Sequence, residues 1–298
     1  DLSSLTSEIT LAKEPYTRYY WTVSVRTDEG EEETSTVNWF ETAKLEDPWQ
    51  GKWITCDKEE SRLPIFKKNI SFEKKPVKAR LYIIGLGLYE ASINGQKVGD
   101  EYLTPYSNDY NRWLQYQTYD ITGLLQEENT LEVMLGNGWW KGRYGFTSKP
   151  GQEGFYSDEW KLLAEVRIWY EDGSCQVIGT DDSWMVKRST ITFSNIYDGE
   201  QRDDTLEELP VVSASLDENI PAGRLMERLS TPVRVHEVLK PAALLYTPAG
   251  ETVFDFGQNM AGIFKCHIKA PRGTRIHFQV GEVLQNGNFY NENLRTAK

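Results

Sequence analysis

Residues 196–204 read IYDGEQRDD and place four carboxylates, Asp198, Glu200, Asp203 and Asp204, within seven residues. Two carboxylates are the working pair of glycoside cleavage: one is protonated and assists the leaving group, while the other is ionised and activates water or attacks carbon. The residue types therefore suit acid/base chemistry. Their position does not, because neighbours on a turn rarely stand the roughly 5–9.5 Å apart across a cleft that such a pair needs. Adjacent acids on an exposed turn also lack the apolar surroundings that lift one carboxyl into the working range. The stretch reads as a solvated turn in which Asp198 or Glu200 has a structural role.

A second group with chemical character is Gly136-Asn137-Gly138-Trp139-Trp140, followed by Arg143 and Tyr144. Glycines on either side of Asn137 suit a backbone that takes positive φ or approaches another segment closely. Indole rings stack on the apolar faces of sugars, and ten Trp in a chain with 12% aromatic residues make carbohydrate a candidate ligand class. If the backbone is extended, the two tryptophans point to opposite faces, so one can be a sugar platform and the other belongs to the core. Asn137, Trp139, Trp140, Arg143 and Tyr144 form the candidate contact surface, with a purely structural role as the alternative.

The 298-residue chain can hold two or three compact domains. A formal charge of -12 and the lack of a basic run argue against a nucleic-acid partner, whose phosphates call for clustered Lys and Arg. No stretch approaches the roughly 20 apolar residues that span a bilayer, so no membrane partner is expected. The opening DLSSLTSEIT lacks the basic start and apolar core of a signal peptide. Cys56, Cys175 and Cys266 are odd in number and far apart, with no zinc-like spacing. They read as free thiols in or near strands, which together with the missing leader fits the cytoplasm.

The elements that must carry these groups are strands. Tyr19, Trp21, Val23 and Val25 alternate on one face of one run, Ala164, Val166, Ile168 and Tyr170 on another, and Ile276, Phe278 and Val280 near the end. Each run predicts a half-buried strand. Turn signals punctuate them: Asp28-Glu29-Gly30, Asn94-Gly95, Glu171-Asp172-Gly173, Pro248-Ala249-Gly250 and Asn286-Gly287-Asn288. The expected architecture is all-β, with consecutive antiparallel β-sandwiches of jelly-roll or fibronectin-like type. Residues 1–45 hold too few strands for a sandwich and read as the back part of a fibronectin-like module, joined by Asp47-Pro48-Trp49-Gln50-Gly51. Residues 46–232 read as one larger sandwich with its tail, and 233–298 as the start of another that stops short. In that last piece Asp255, within Phe254-Asp255-Phe256, is expected to be half-buried and to accept backbone amides of its own turn.

Several long motifs resemble the N-terminal β-sandwich of bacterial α-L-rhamnosidases: Gly85-Leu86-Gly87-Leu88-Tyr89-Glu90, Ile93-Asn94-Gly95-Gln96-Lys97-Val98-Gly99-Asp100, Gln115-Tyr116-Gln117-Thr118-Tyr119-Asp120-Ile121-Thr122, and Leu135 through Arg143. Thr180-Asp181-Asp182-Ser183-Trp184 and Ile196-Tyr197-Asp198-Gly199-Glu200 belong to the same pattern. Val253 through Gly262 and Asn293-Leu294-Arg295-Thr296-Ala297 look like that family's next β-domain, and Trp39-Phe40-Glu41-Thr42 like the end of its first module.

The resemblance implies an inverting glycoside hydrolase whose chemistry resides in an (α/α)6 barrel absent from this chain, so the chain alone is expected to be inactive. Gln201-Arg202-Asp203-Asp204-Thr205 imitates the barrel's acid motif, but Asp204 stands in place of the acidic Glu and Thr205 in place of the second Arg. The resemblance also implies a calcium-dependent L-rhamnose site in some of these sandwiches, since a hard cation can hold two vicinal hydroxyls. Asp100 matches the acidic metal ligand, and Glu101 stands where binding members carry Asn, so both enter as candidate metal and carbohydrate ligands. Further ligands are expected in Gly145 through Glu153. Three readings result: a non-catalytic region partnering the catalytic barrel, a stand-alone calcium-dependent L-rhamnose-binding module, or a small glycosidase using Glu200 with Asp203 or Asp204.

Overall fold

The computed structural model describes residues 9–143, 145, 152–271 and 273–294. Among them there is no α-helix, and hence none long and apolar enough to cross a membrane. Two sheets build the central sandwich. The first runs, in spatial order, Ser215–Leu216, Ile54–Thr55, Lys161–Tyr170, Pro76–Leu86, Trp113–Asp120 and Arg224–Glu227, with Cys175–Gly179 also paired to the 161–170 strand. The second runs Val212–Ser213, Met185–Arg188, Pro64–Ile70, Asn129–Gly136, Leu88–Ile93 and Gln96–Lys97. Every neighbouring pair in both sheets is antiparallel except 113–116 with 224–227, which is parallel.

Turn chemistry sets the registers. Asn94 and Gly95 take φ of 53° and 76°, the left-handed pair that a two-residue hairpin needs, and Ile93 lies opposite Gln96. Asn94 is held there because its Oδ1 accepts the Thr130 N–H at 2.9 Å. Asn286 and Gly287 repeat the geometry between Val283–Gln285 and Asn288–Tyr290.

Phe66, Leu81, Ile83, Leu131, Val133, Leu135, Ala164, Val166 and Trp184 fill the space between the sheets. Removing so many large apolar side chains from water, at about 1.5–3 kcal/mol each, is the main stabilising contribution to the sandwich. The 161–170 strand departs from the half-buried expectation, however, since Leu163, Glu165 and Arg167 on its other face are also buried. A second apolar cluster lies on that outer face: Tyr82, Ile84, Leu86, Leu114, Tyr116 and Leu163, with Trp53, Tyr110 and Trp140.

The cover on this face comes from the end of the first module, with Tyr16, Glu41 and Lys44, together with the joining segment 47–51. Glu41, Lys44 and Asp47, acid, base and acid at spacings of three, meet Arg80, Glu165 and Arg167 at 2.8, 2.6 and 2.7 Å. Tyr16 packs edge-on against Tyr82 with ring centroids 5.6 Å apart, and Trp49 against Tyr116 at 5.3 Å. Glu165, with its side chain wholly out of solvent, also accepts the backbone N–H groups of Gln50 and Gly51. A Cβ on Gly51 would lie 2.7 Å from the Ala164 carbonyl oxygen, so glycine is what lets the chain pass this close to the strand.

Other runs differ from expectation for lack of a partner. Tyr19 through Val25 divides into two short strands, Arg18–Trp21 and Ser24–Arg26, paired with Asn38–Glu41 and Glu32–Thr34, and Trp21, Val23 and Val25 are exposed. Ile276, Phe278 and Val280 are exposed too, and no β-ladder forms around them among the described residues. Alternation specifies a face, but a strand needs a neighbour for its N–H and C=O groups. Asp255 is exposed rather than half-buried, yet its Oδ1 accepts the Gly257 N–H at 2.8 Å, the local bond expected of it. Of the cysteines, only Cys56 is buried, and burial pushes its thiol up to about 11, while Cys175 and Cys266 are exposed and all three are free.

Lys44→Met should cost about 3–5 kcal/mol in denaturant unfolding, the penalty for stranding a buried charge. The double variant Lys44→Met with Glu165→Leu should recover most of that loss. Glu41 supplies a pH dependence. Burial raises its carboxyl, but the hydrogen bond and charge of Arg80, then Lys78, outweigh burial and hold it below the ordinary range. Its stabilising contribution is complete above the unfolded value of about 4.3 and is lost as pH falls through the lower folded value. Urea midpoints measured from pH 6 to 3 should therefore fall more steeply for the wild type than for Glu41→Gln.

Candidate functional site

The four-carboxylate stretch forms the hairpin joining Ile191–Asn195 to Gly199–Arg202. Each acid outside the exposed Glu200 has a partner of its own. Asp198 takes the Arg143 guanidinium in a two-pronged pair, Nε to Oδ2 at 2.7 Å and Nη2 to Oδ1 at 2.9 Å. Asp203 accepts from the Thr205 hydroxyl and N–H, which hold its carboxyl below the usual range. Asp204 is lowered in the same sense by Arg202 and then Thr190. A general acid needs the opposite shift. This geometry gives structural tethers, as the turn composition suggested, and no acid/base pair.

Asn137 through Lys141 is a turn rather than an extended strand: the Lys141 N–H donates to the Asn137 carbonyl at 3.0 Å. Both tryptophans therefore turn toward the same cluster instead of opposite faces. Trp140 is buried, its Nε1–H donating to the Glu159 carbonyl at 2.9 Å, edge-on to Tyr110 and stacked on Tyr156. Trp139 is half-buried on the rim of that cluster, and Phe155 is 47% exposed beside Tyr156. Asn137 is buried and its Oδ1 has no hydrogen-bond partner. Tyr144 lies outside the described residues, as do 146–151 of the loop expected to supply further ligands.

Asp100 and Glu101 lie on the loop after Gln96–Lys97, where Gly99, Leu103 and Tyr106 all take positive φ. The fold links this loop to the tryptophan turn through a chain of tyrosines. Tyr106 donates its hydroxyl to Glu101 Oε2 at 3.1 Å, Tyr110 donates to the Tyr106 carbonyl at 2.8 Å, and the Tyr110 ring meets Trp140. Sequence reasoning missed Tyr110 and Tyr156, because nothing local marks a tyrosine whose partner is remote.

Calcium takes six to eight oxygen ligands. Glu101 is buried and pairs with Arg228 and, at 3.7 Å, with Arg234, while Asp100 Oδ1 pairs with Arg234 Nε at 2.8 Å. Two acids thus already face two guanidinium groups, and the described residues bring no group of three or more His, Cys, Asp or Glu side chains together. The donors as arranged do not fit a calcium ion. A shallow depression lined by Phe264, His277, Phe278 and Glu292 lies apart and contains none of the candidate residues.

A two-sheet sandwich with an aromatic layer on one outer face, followed by further β-structure, defines the class. The alpha-L-rhamnosidase N-terminal domain family matches residues 74–237, more than half of the chain, and the chain belongs to that family. Residues 245–298 match the bacterial alpha-L-rhamnosidase concanavalin-like domain. An alpha-L-rhamnosidase of Alteromonas sp. (strain LOR) is 29% identical over 287 residues, which is 88% of this chain and 31% of that protein. The crystal structure of the Aspergillus terreus rhamnosidase superposes with a TM-score of 0.83 at 31% identity, over 95% of this chain and 35% of that one. The Streptomyces avermitilis alpha-L-rhamnosidase complexed with L-rhamnose shares the fold, with a TM-score of 0.73 at 18% identity over 96% of this chain and 45% of that one. The chain thus spans about a third of the length of the relatives it matches, 22–33% across four of them.

Arg143→Ala should lower stability by about 1.5–3 kcal/mol, the value of hydrogen bonds to a charged group. Amide exchange in 191–202 should rise before exchange in the sheets does. Arg143→Lys, which keeps the charge but not the fork, should fall between wild type and Ala.

Proposed function

We propose that this chain is the N-terminal, non-catalytic β-region of an α-L-rhamnosidase, and that hydrolysis of terminal α-L-rhamnose, by inversion, takes place in a helical barrel beyond these residues. The observation that carries this reading is the match of nearly the whole chain to about a third of each relative, in a fold whose carboxylate cluster is tied into ion pairs and turns. In this role the sandwich supports the enzyme's architecture, and the exposed Phe254, Ile263, Phe264, Phe278 and Val280 offer apolar surface to the rest of the polypeptide.

Sugar contact, in the same reading, falls to the rim formed by Trp139, Phe155 and Tyr156. A half-buried indole and a half-buried phenol on one cluster, with the exposed Phe155 ring against that phenol, present flat apolar surface on which a deoxy sugar stacks, and the buried part of the indole keeps its ring fixed. That a related enzyme has been solved with L-rhamnose supports the ligand class.

The test combines two assays on the purified chain. With 4-nitrophenyl α-L-rhamnoside, no nitrophenol should be released above the buffer rate. Calorimetric titration with L-rhamnose should give weak heats that Trp139→Ala abolishes while the variant, though less stable, remains folded at the temperature of the titration. Turnover by the chain alone that Glu200→Gln removes would overturn the non-catalytic assignment. Heats unaffected by Trp139→Ala would move the sugar contact elsewhere.

A further inference from the structure

We propose that residues 224–235 are a built-in cationic strap, whose two guanidinium groups neutralise the 98–106 loop in place of a divalent cation, so that this chain orders the loop without metal. The inference concerns the loop's own order and holds whether or not the sandwich takes a sugar.

The loop has an electrostatic problem to solve. Glu101 is 6% exposed, and a carboxylate removed from water in this way must find cations or donors. Arg228 Nη1 reaches Glu101 Oε1, Arg234 stands at 3.7 Å from the same oxygen, and the Tyr106 hydroxyl takes Oε2. Asp100, more exposed, shares Arg234. The formal charges of Asp100, Glu101, Arg228 and Arg234 sum to zero. A calcium ion added here would leave two uncompensated positive charges and would have to displace a guanidinium from a carboxylate already desolvated around it.

The strap is fastened along its length, which is what makes its cations resident rather than incidental. Arg224–Glu227 pairs in parallel with 113–116 at the sheet edge. Beyond it, the Gln115 side-chain oxygen accepts the Leu229 N–H at 2.8 Å and the Ser230 N–H at 3.2 Å. Further on, the Tyr102 N–H donates to the Val233 carbonyl at 3.0 Å, the Val233 N–H donates to the Tyr106 hydroxyl at 3.2 Å, and Glu101 and Arg234 form a β-bridge. The Tyr106 hydroxyl thus bonds both sides at once, donating to the loop's acid and accepting from the strap's backbone.

The strap is tested on the purified chain by calcium chloride titration, followed both by calorimetry and by thermal unfolding, against a chelator control. The expected result is no binding heat and the same unfolding midpoint with calcium as with chelator. Limited proteolysis should cut between 217 and 240 about tenfold faster in Arg228→Gln/Arg234→Gln than in wild type, since loss of the pairs opens the segment more often. If the double variant does not fold, Arg234→Gln alone, at the more exposed cation, should show a smaller rise at the same sites. A saturable calcium heat in the wild type that Glu101→Gln removes would overturn the proposal, and so would proteolysis of the folded arginine variants at the wild-type rate.

Discussion

A carboxylate without water, Glu165, governs how the outer half of this molecule is put together. It sits in the middle of the 161–170 strand, on the face pointing away from the sheet-to-sheet core. A charge so placed is tolerable only when every acceptor site is answered. The answer comes from 114 to 121 residues earlier in the chain: the Lys44 ammonium and the amides of Gln50 and Gly51. Lys44 is itself desolvated, which lowers its affinity for a proton, while Glu165 restores part of it. Neither charge could be buried alone.

Once that pair is made, the rest of the cover follows. Glu41 and Asp47 flank Lys44 at spacings that set them over Arg80 and Arg167, and Tyr16 and Trp49 close over the sheet's apolar face. The first sheet is thereby buried on both sides. Its strands carry continuous burial such as that of 79–86, a pattern more usual in parallel sheets under helices than in an antiparallel sandwich. Irregular chain, rather than a helix, supplies the second layer here.

The same compensation recurs at four more acids. Asp198 meets Arg143, Asp204 meets Arg202, Asp217 meets the buried Lys161, and Glu101 meets Arg228. A chain with a formal charge of -12 has acids to spare, and these four are each held by a guanidinium or ammonium group. Tethering of this kind fixes each carboxylate beside its cation, and at Asp204 it also holds the carboxyl below the usual range. It suits a scaffold that presents rings and loops in fixed positions, and it is the opposite of the tuning that catalytic acids require.

Much of this was legible residue by residue. Asn94-Gly95 and Asn286-Gly287 announced their hairpins because a left-handed turn is a two-residue property. The alternation of Ala164, Val166 and Ile168 named the core face because side-chain direction repeats every second residue. The all-β class and the structural character of the Asp198 turn came from equally local chemistry. Other features belong to pairs of residues far apart, and no single stretch carries them. Glu165 reads as an ordinary solvent-facing position until Lys44 covers it. Trp139 and Trp140 read as opposite faces until the Asn137 carbonyl closes a turn around them. Glu101 reads as a cation ligand until Arg228 and Arg234 arrive from more than 120 residues away. Periodicity and turn residues act over a few bonds and so are written in order along the chain. Charge compensation and the burial of a second face act through space, and only the folded arrangement decides which acid meets which base.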